Sequence, residues 1–159
     1  MRIVAFSDSH GMSSSVVRMI ERTVKDTDLY LFCGDGQSDV ERAMLQFPEI
    51  KVVRAKGNCD YCSTVPGVAV TEAMGKKIAV THGHLQHINY DSIGIEELAR
   101  SNKASLLVYG HTHCRECRYR DGIYYVNPGS LALPRDGNPP SYAIIDIYED
   151  GILISHADL

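Results

Sequence analysis

The chain has 159 residues, 44% hydrophobic and 23% charged, which fits a single domain over residues 1–159 with enough chain to bury a core without disulfide or metal staples. A formal net charge of −4 provides no clustered basic footprint, so no nucleic-acid or membrane partner is expected. Five cysteines suit reduced thiols, the first apolar run is too short for a signal peptide, and no stretch approaches a membrane span, so the expected location is cytoplasmic.

The first third alternates strand and helix. Ile3–Phe6 reads as a buried strand, Ser13 or Ser14 stands where a helix cap belongs, and Val16, Val17, Ile20 and Val24 share one helical face. Leu29–Cys33 is the next strand. Val40, Ala43, Met44 and Phe47 follow at i, i+3, i+4, i+7, and Pro48 ends that helix before a strand at Ile50–Arg54. The order βαβαβ predicts a parallel sheet. Farther on, Val68–Glu72 and Lys77–Val80 flank a hairpin turn, a short helix carries Ile95, Leu98 and Ala99, and Leu106–Tyr109 is another strand. Asp121-Gly122 and Glu149-Asp150-Gly151 mark two more hairpins, Arg118–Arg120 with Ile123–Val126 and Tyr142–Tyr148 with Ile152–His156. Two packed sheets with helices outside accommodate these elements.

Three polar pairs, Asp8–His10, His82–His84 and His111–His113, stand where apolar strands run out. In an extended backbone residues i and i+2 point the same way, so each pair is expected to aim two donors into one cavity. Gly34-Asp35-Gly36 and Gly57-Asn58-Cys59-Asp60 interrupt two further strands, and the ends of parallel strands are where open α/β sheets bind ligands. Asp8, His10, Asp35, Asn58, His82, His111 and His113 therefore reach one edge, with nitrogen and oxygen donors sufficient for two divalent ions. A rival reading pairs Cys59-x-x-Cys62 with Cys114-x-x-Cys117 as a four-thiolate zinc site, although the long separation and the adjoining donor blocks favour packed or exposed thiols.

Asp8-Ser9-His10, Gly34-Asp35, Gly57-Asn58-x-Asp60, His82 and Gly110-His111-Thr112-His113 resemble, in order and kind, the calcineurin-like metallophosphoesterases. Gly57-Asn58-Cys59-Asp60, Thr81-His82-Gly83-His84 and Asn127-Pro128-Gly129-Ser130 look like the small prokaryotic YfcE-type phosphodiesterases. The resemblance implies a four-layer α/β/β/α sandwich of two mixed sheets flanked by helices. It implies a dinuclear centre in which Asp8, His10 and His113 hold one metal, Asn58, His82 and His111 the other, and Asp35 bridges. Asp39 would support these residues rather than bind metal. Mn²⁺ is the expected ion, with Fe²⁺, Ni²⁺, Co²⁺ and Zn²⁺ left open.

Two ions roughly 3.5–4 Å apart generate hydroxide near neutral pH and clamp phosphoryl oxygens for in-line attack. With Asp8 and Asp35 as the anionic ligands, the small residual positive charge suits a small phosphodiester monoanion. Most of the superfamily carries His where this chain has Cys59, a poorer proton donor. Leaving-group protonation is then expected to be weak or to fall to His84, with Cys59, Asp60 and His84 as the candidate catalytic residues. A non-catalytic scaffold remains the alternative, since the vacuolar-sorting retromer subunit looks like this family, and a phosphomonoesterase is a third. Leu131, Ala132 and Leu133 leave open a homo-oligomeric contact or a loop over the site.

Overall fold

In a computed structural model covering residues 1–159, ten strands form two five-stranded sheets. The elements are β1 (Arg2–Phe6), α1 (Ser13–Thr23), β2 (Leu29–Phe32), α2 (Gln37–Gln46), β3 (Val52–Arg54), β4 (Val68–Ala73), β5 (Lys76–Thr81), α3 (Ile93–Ser101), β6 (Leu106–Val108), β7 (Arg115–Arg120), β8 (Ile123–Pro128), β9 (Ser141–Ile147) and β10 (Ile152–Asp158). One sheet runs β10-β9-β1-β2-β3 and the other β4-β5-β6-β8-β7.

Strand alternation sorts the side chains into four layers. Ile3, Ala5, Leu29 and Leu31 of the first sheet meet Ile78, Val80, Leu106 and Val108 of the second in a central core. Val4, Phe6, Tyr30 and Phe32 point the other way, onto Val16, Met19 and Ile20 of α1 and Val40 and Ala43 of α2. Ala79, Leu107 and Tyr125 turn outward beneath Ile95 and Ala99 of α3. Strands β1, β2, β5 and β6 are thus apolar on both faces, as strands buried between two layers must be. Truncating a central residue such as Leu31 to Ala would cost about 2–5 kcal/mol by loss of burial and cavity formation.

Direction matters more than order for the site. β1 pairs in parallel with β2 and β2 with β3, while β5 pairs in parallel with β6 and β6 with β8. Their carboxyl ends therefore converge on one edge. The opposite edge carries the hairpin turns joining β4 to β5 and β7 to β8, both antiparallel pairs.

Two expectations change. Neither Ser13 nor Ser14 caps α1: Met12 occupies the cap position without a side-chain bond, and Ser13 Oγ donates to Asp39 Oδ1 at 2.7 Å. Leu131 is not a surface residue but fully buried against α1 and the first sheet, because its backbone N–H is tied to the Ser7 carbonyl at 3.1 Å; Leu133 alone of that trio is largely exposed. Of the strand tyrosines, Tyr125 and Tyr142 are buried, Tyr148 is exposed, and the rings of Tyr119 and Tyr124 lie 4.6 Å apart and tilted by 47°.

Candidate metal centre

The donors arrive on turns, not on extended strands. Asp8, His10, Asp35, His111 and His113 all adopt positive φ, between 44° and 70°, which non-glycine residues rarely do. The expected i, i+2 alternation is thus corrected: left-handed turns immediately after β1, β2 and β6 aim these side chains. Such conformations persist only where surrounding structure enforces them, and they concentrate at functional sites. His84 is not delivered beside His82 by strand geometry either, because a 3₁₀ turn begins there at His84–Gln86.

Backbone clamps supply the enforcement. Asp60 accepts four N–H groups at 2.9 Å each, those of Asp35 and Gly57 on one oxygen and those of Gly36 and Gln37 on the other. Its carboxylate thereby fixes the Asp35 turn and the start of α2 from a separate loop. That makes Asp60 a positioning residue, with both oxygens engaged away from the donors. Asp39 does the same for the first turn, accepting from Ser9 Oγ, Gly11 N and Ser13 Oγ. Gly57 and Gly110 let backbone approach: a Cβ at Gly57 would collide with Asp35 Oδ1, and one at Gly110 would collide with Ser7 Oγ and come within 2.8 Å of Asp8 Oδ2.

Two groups of donors meet around the buried carboxylates. His113 Nε2 lies 3.1 Å from Asp8 Oδ1, and His10 Nε2 lies 3.7 Å from that oxygen and 3.2 Å from His113 Nε2. On the other side His82 Nε2 is 3.4 Å from Asp35 Oδ2, 3.0 Å from Asn58 Oδ1 and 3.2 Å from His111 Nδ1. His10 Nε2 is 3.9 Å from Asp35 Oδ2, so Asp35 stands between the groups. The ring nitrogens facing away are engaged: His82 Nδ1 donates to the Cys33 carbonyl at 2.7 Å and His113 Nδ1 to the Leu133 carbonyl at 2.6 Å. Those bonds leave both Nε2 lone pairs directed inward, the arrangement metal-binding imidazoles use.

The electrostatics favour a cation. Burial would raise the Asp8 carboxyl, but the nearby imidazoles of His10, His113 and His82 outweigh it and hold Asp8 well below the usual carboxylate range. Burial also acts against ionised Asp35, yet His82 and the Cys59 N–H bring it down to about 2. Asp8 Oδ1 is completely buried and makes no hydrogen bond. An ionised buried oxygen left that way is costly unless a positive group completes it. Imidazole, carboxylate and amide donors with an orphaned carboxylate oxygen fit a divalent first-row ion.

Cys59 and His84 flank this cluster. Cys59 N–H donates to Asp35 Oδ1 at 2.7 Å, and burial plus the Asp35 charge push the thiol up to about 11, so in the metal-free chain it is neutral. The His84 ring lies 5.2 Å from that of His82, and burial followed by the His82 charge depress its pKa. A cleft of about 440 Å³ beside α2 opens next to the centre, with Cys59, Asp60 and the exposed Tyr61 on its wall. The only thiol grouped with other donors is Cys59, with His10 and Asp35; Cys62, Cys114 and Cys117 join no such group, so the four-thiolate reading has no geometric basis.

Other contributors were hidden in the sequence. Asn89 Nδ2 bonds His111 Nε2 at 2.9 Å from a loop with no distinguishing signal. Ser130 Oγ donates to the Asp8 carbonyl and accepts from Ala132 and Leu133 N–H, which brings the carbonyl that orients His113 into place. Asn127 Nδ2 holds the Gly110 carbonyl, and His156 Nε2 donates to the Asn127 carbonyl. The Asn127-Pro128-Gly129-Ser130 turn was the visible signal for the last group.

Comparison with known proteins agrees with this geometry. A model of the calcineurin-like phosphoesterase superfamily domain matches residues 1–150. The chain belongs to that superfamily. It is 31% identical to the probable metallophosphoesterase YsnB of Bacillus subtilis over 99% of this chain and 91% of the relative, and 30% identical to the phosphodiesterase YfcE of Escherichia coli over 92% and 88%. The structure of an uncharacterized Streptococcus pneumoniae protein described as a predicted phosphoesterase superposes with a TM-score of 0.88 at 29% identity, covering 99% of this chain and 88% of that one. Zinc-complexed Vps29 from Entamoeba histolytica shares the fold at TM-score 0.77 and 20% identity, over 99% of each chain. The four-layer sandwich of mixed sheets is therefore the superfamily's architecture, and membership supports a metal-dependent hydrolase. No helix is long and apolar enough to cross a membrane.

Proposed function

We propose that this chain hydrolyses small phosphodiesters at a dinuclear centre, with Asp8, His10 and His113 holding one divalent ion, Asn58, His82 and His111 the other, and Asp35 shared. Mn²⁺ or a similar first-row ion suits these donors. The observation that carries the reading is the fully buried, unpartnered Asp8 Oδ1 facing His113 Nε2 at 3.1 Å and His10 Nε2 at 3.7 Å. When bound, two divalent ions would supply an activated water and positive charge for the phosphoryl oxygens.

The chain's own residues prepare that chemistry. Asp60 and Asp39 hold the turns that carry Asp35 and His10, so reorganisation on substrate binding is small. Two carboxylates among neutral donors leave a modest positive site, better matched to a diester monoanion than to a monoester dianion. His84 Nδ1 is buried without a partner, and its depressed pKa keeps the ring neutral near pH 7. Cys59 is a reluctant acid at about 11. Neither gives strong protonation of a departing alkoxide, so aryl and other good leaving groups are favoured.

The test is hydrolysis of bis-p-nitrophenyl phosphate by chelator-stripped protein with and without Mn²⁺, beside p-nitrophenyl phosphate and a His111→Ala, His113→Ala double variant. Diesterase activity that requires metal and vanishes in the folded variant supports the reading. Preference for the monoester overturns the substrate class, and inactivity with every first-row ion in folded protein leaves a binding scaffold.

A further inference from the structure

The cleft between α2 and the loop after β3, about 440 Å³, falls within the roughly 300–1,000 Å³ of small-ligand sites. Cys59 belongs both to its wall and to the donor group of His10 and Asp35, so a phosphoryl group at the centre has one ester arm within reach of the cleft. Gln37, also on the wall, is only 5% exposed. Its Nε2 donates to the Ala55 carbonyl at 2.9 Å, which fixes the amide and leaves Oε1 buried with no partner. A buried acceptor on a cleft wall calls for a donor from the occupant. Tyr61 lines the same cleft, 82% exposed, and offers the occupant a ring face. It follows directly on Asp60, which four backbone N–H groups anchor, and the Ser63 N–H closes the turn onto the Asp60 carbonyl at 3.1 Å. The charged groups on the wall are Glu41, Arg54 and Asp60, and Arg54 Nη1 is bonded to Glu41 Oε1 at 3.2 Å. No positive charge is left over for a second phosphate.

We propose that this cleft binds a nucleoside arm of the phosphodiester, with the base on the face of Tyr61 and an N–H or O–H of the nucleoside donating to Gln37 Oε1. The inference rests on the diesterase reading above and names its substrate class. The wall chemistry chooses among small alcohols. Esterified glycerol brings hydroxyls without a flat face, esterified choline a cation without an N–H or O–H donor, and a bare aryl group a face without a donor. A nucleoside brings face and donors together and is neutral, as the paired Glu41 and Arg54 require. Stacking on an aromatic side chain tolerates every base, so the cleft selects nucleosides as a class. Further phosphates of a polynucleotide would meet Glu41 and Asp60.

The test has a binding arm and a kinetic arm, on the wild type and on Tyr61→Ala, Tyr61→Phe and Gln37→Met variants whose folding is checked by circular dichroism. Saturation-transfer NMR on chelator-stripped protein compares adenosine, glycerol and choline, none of which carries a phosphate. The expected result is transfer to the adenine protons of adenosine alone, kept in Tyr61→Phe and lost in Tyr61→Ala. With Mn²⁺ added, thymidine 5′-p-nitrophenyl phosphate and methyl p-nitrophenyl phosphate share a leaving group and differ in the other arm. The thymidyl ester should have the higher kcat/KM, and that advantage should fall about tenfold in Tyr61→Ala through KM, stay in Tyr61→Phe and shrink in Gln37→Met, with the methyl ester unaffected. Equal kcat/KM for the two esters, or an advantage that survives in Tyr61→Ala, overturns the nucleoside cleft and leaves the diesterase standing. Glycerol or choline bound as well as adenosine overturns the nucleoside assignment, and an advantage undiminished in Gln37→Met overturns the role of its amide. Hydrolysis of neither ester by folded protein overturns the diesterase reading and this inference with it.

Discussion

The two ends of the parallel strands use the same unfavourable backbone and compensate it differently. At the hairpin end, Met74-Gly75 and Asp121-Gly122 have positive φ at both turn positions, the pairing that two-residue hairpins favour because its twist matches the strands. A Cβ on Gly75 or Gly122 would meet nothing within 4 Å. At the donor end, Asp8, His10, Asp35, His111 and His113 also have positive φ, but Asp8, Asp35 and His113 are buried and all five lie among charges and tight contacts. Strain at the hairpins is local and solvent-facing. At the donor end it is held by side chains from distant loops, so its removal propagates.

The largest expected effect is Asp60→Ala, which releases four backbone N–H groups at once. Bonds to a charged acceptor make this a loss of about 3–4 kcal/mol in urea unfolding, accompanied by loss of metal affinity. A stability change under about 1 kcal/mol would show that the two ends are compensated alike. Gly110→Ala comes next. Its Cβ would crowd Ser7 Oγ and Asp8 Oδ2, and displacing the Asp8 carboxylate by less than an ångström should lower the proposed diester hydrolysis about 100-fold. Gly122→Ala sharpens the contrast from the other end: about 1 kcal/mol of stability lost to the left-handed backbone, with kcat/KM unchanged.

The smallest effect is a pH dependence. The nearby Asp8 carboxylate raises the pKa of His10; burial opposes the charge on His82, but Asp35 and Asp8 prevail and raise it too. Folding of the metal-free chain therefore takes up protons on these two rings. That stabilisation is complete below the ordinary value of 6.5 and is lost as pH rises through the raised folded values. Above pH 6.5 His84 and His111, whose values are depressed, are neutral folded or unfolded and add nothing. Metal-free protein should thus lose stability from pH 6.5 upward in thermal unfolding, while metal affinity rises over the same interval because bound ions displace those protons. A flat profile in both would contradict the clustered charges at the donor end.

The sequence by itself determined the strand–helix alternation, the apolar faces of α1, α2 and α3, and the donor blocks. These follow from periodicity and from residue types whose chemistry is local: Val16 and Ile20 on one helical face, Asp121-Gly122 as a turn, His111-x-His113 after an apolar strand. The superfamily was legible because its blocks are ordered along the chain. Tertiary structure decided how the donors are aimed, since the left-handed turns at Asp8 and His111 depend on acceptors and close approaches contributed by remote segments. It also decided that Asp60 clamps backbone, that Ser130 and Asn89 reach the centre, and that Leu131 is interior. A side chain's role at this edge is fixed by which loops converge on it, and convergence arises only when parallel strands from two sheets end together.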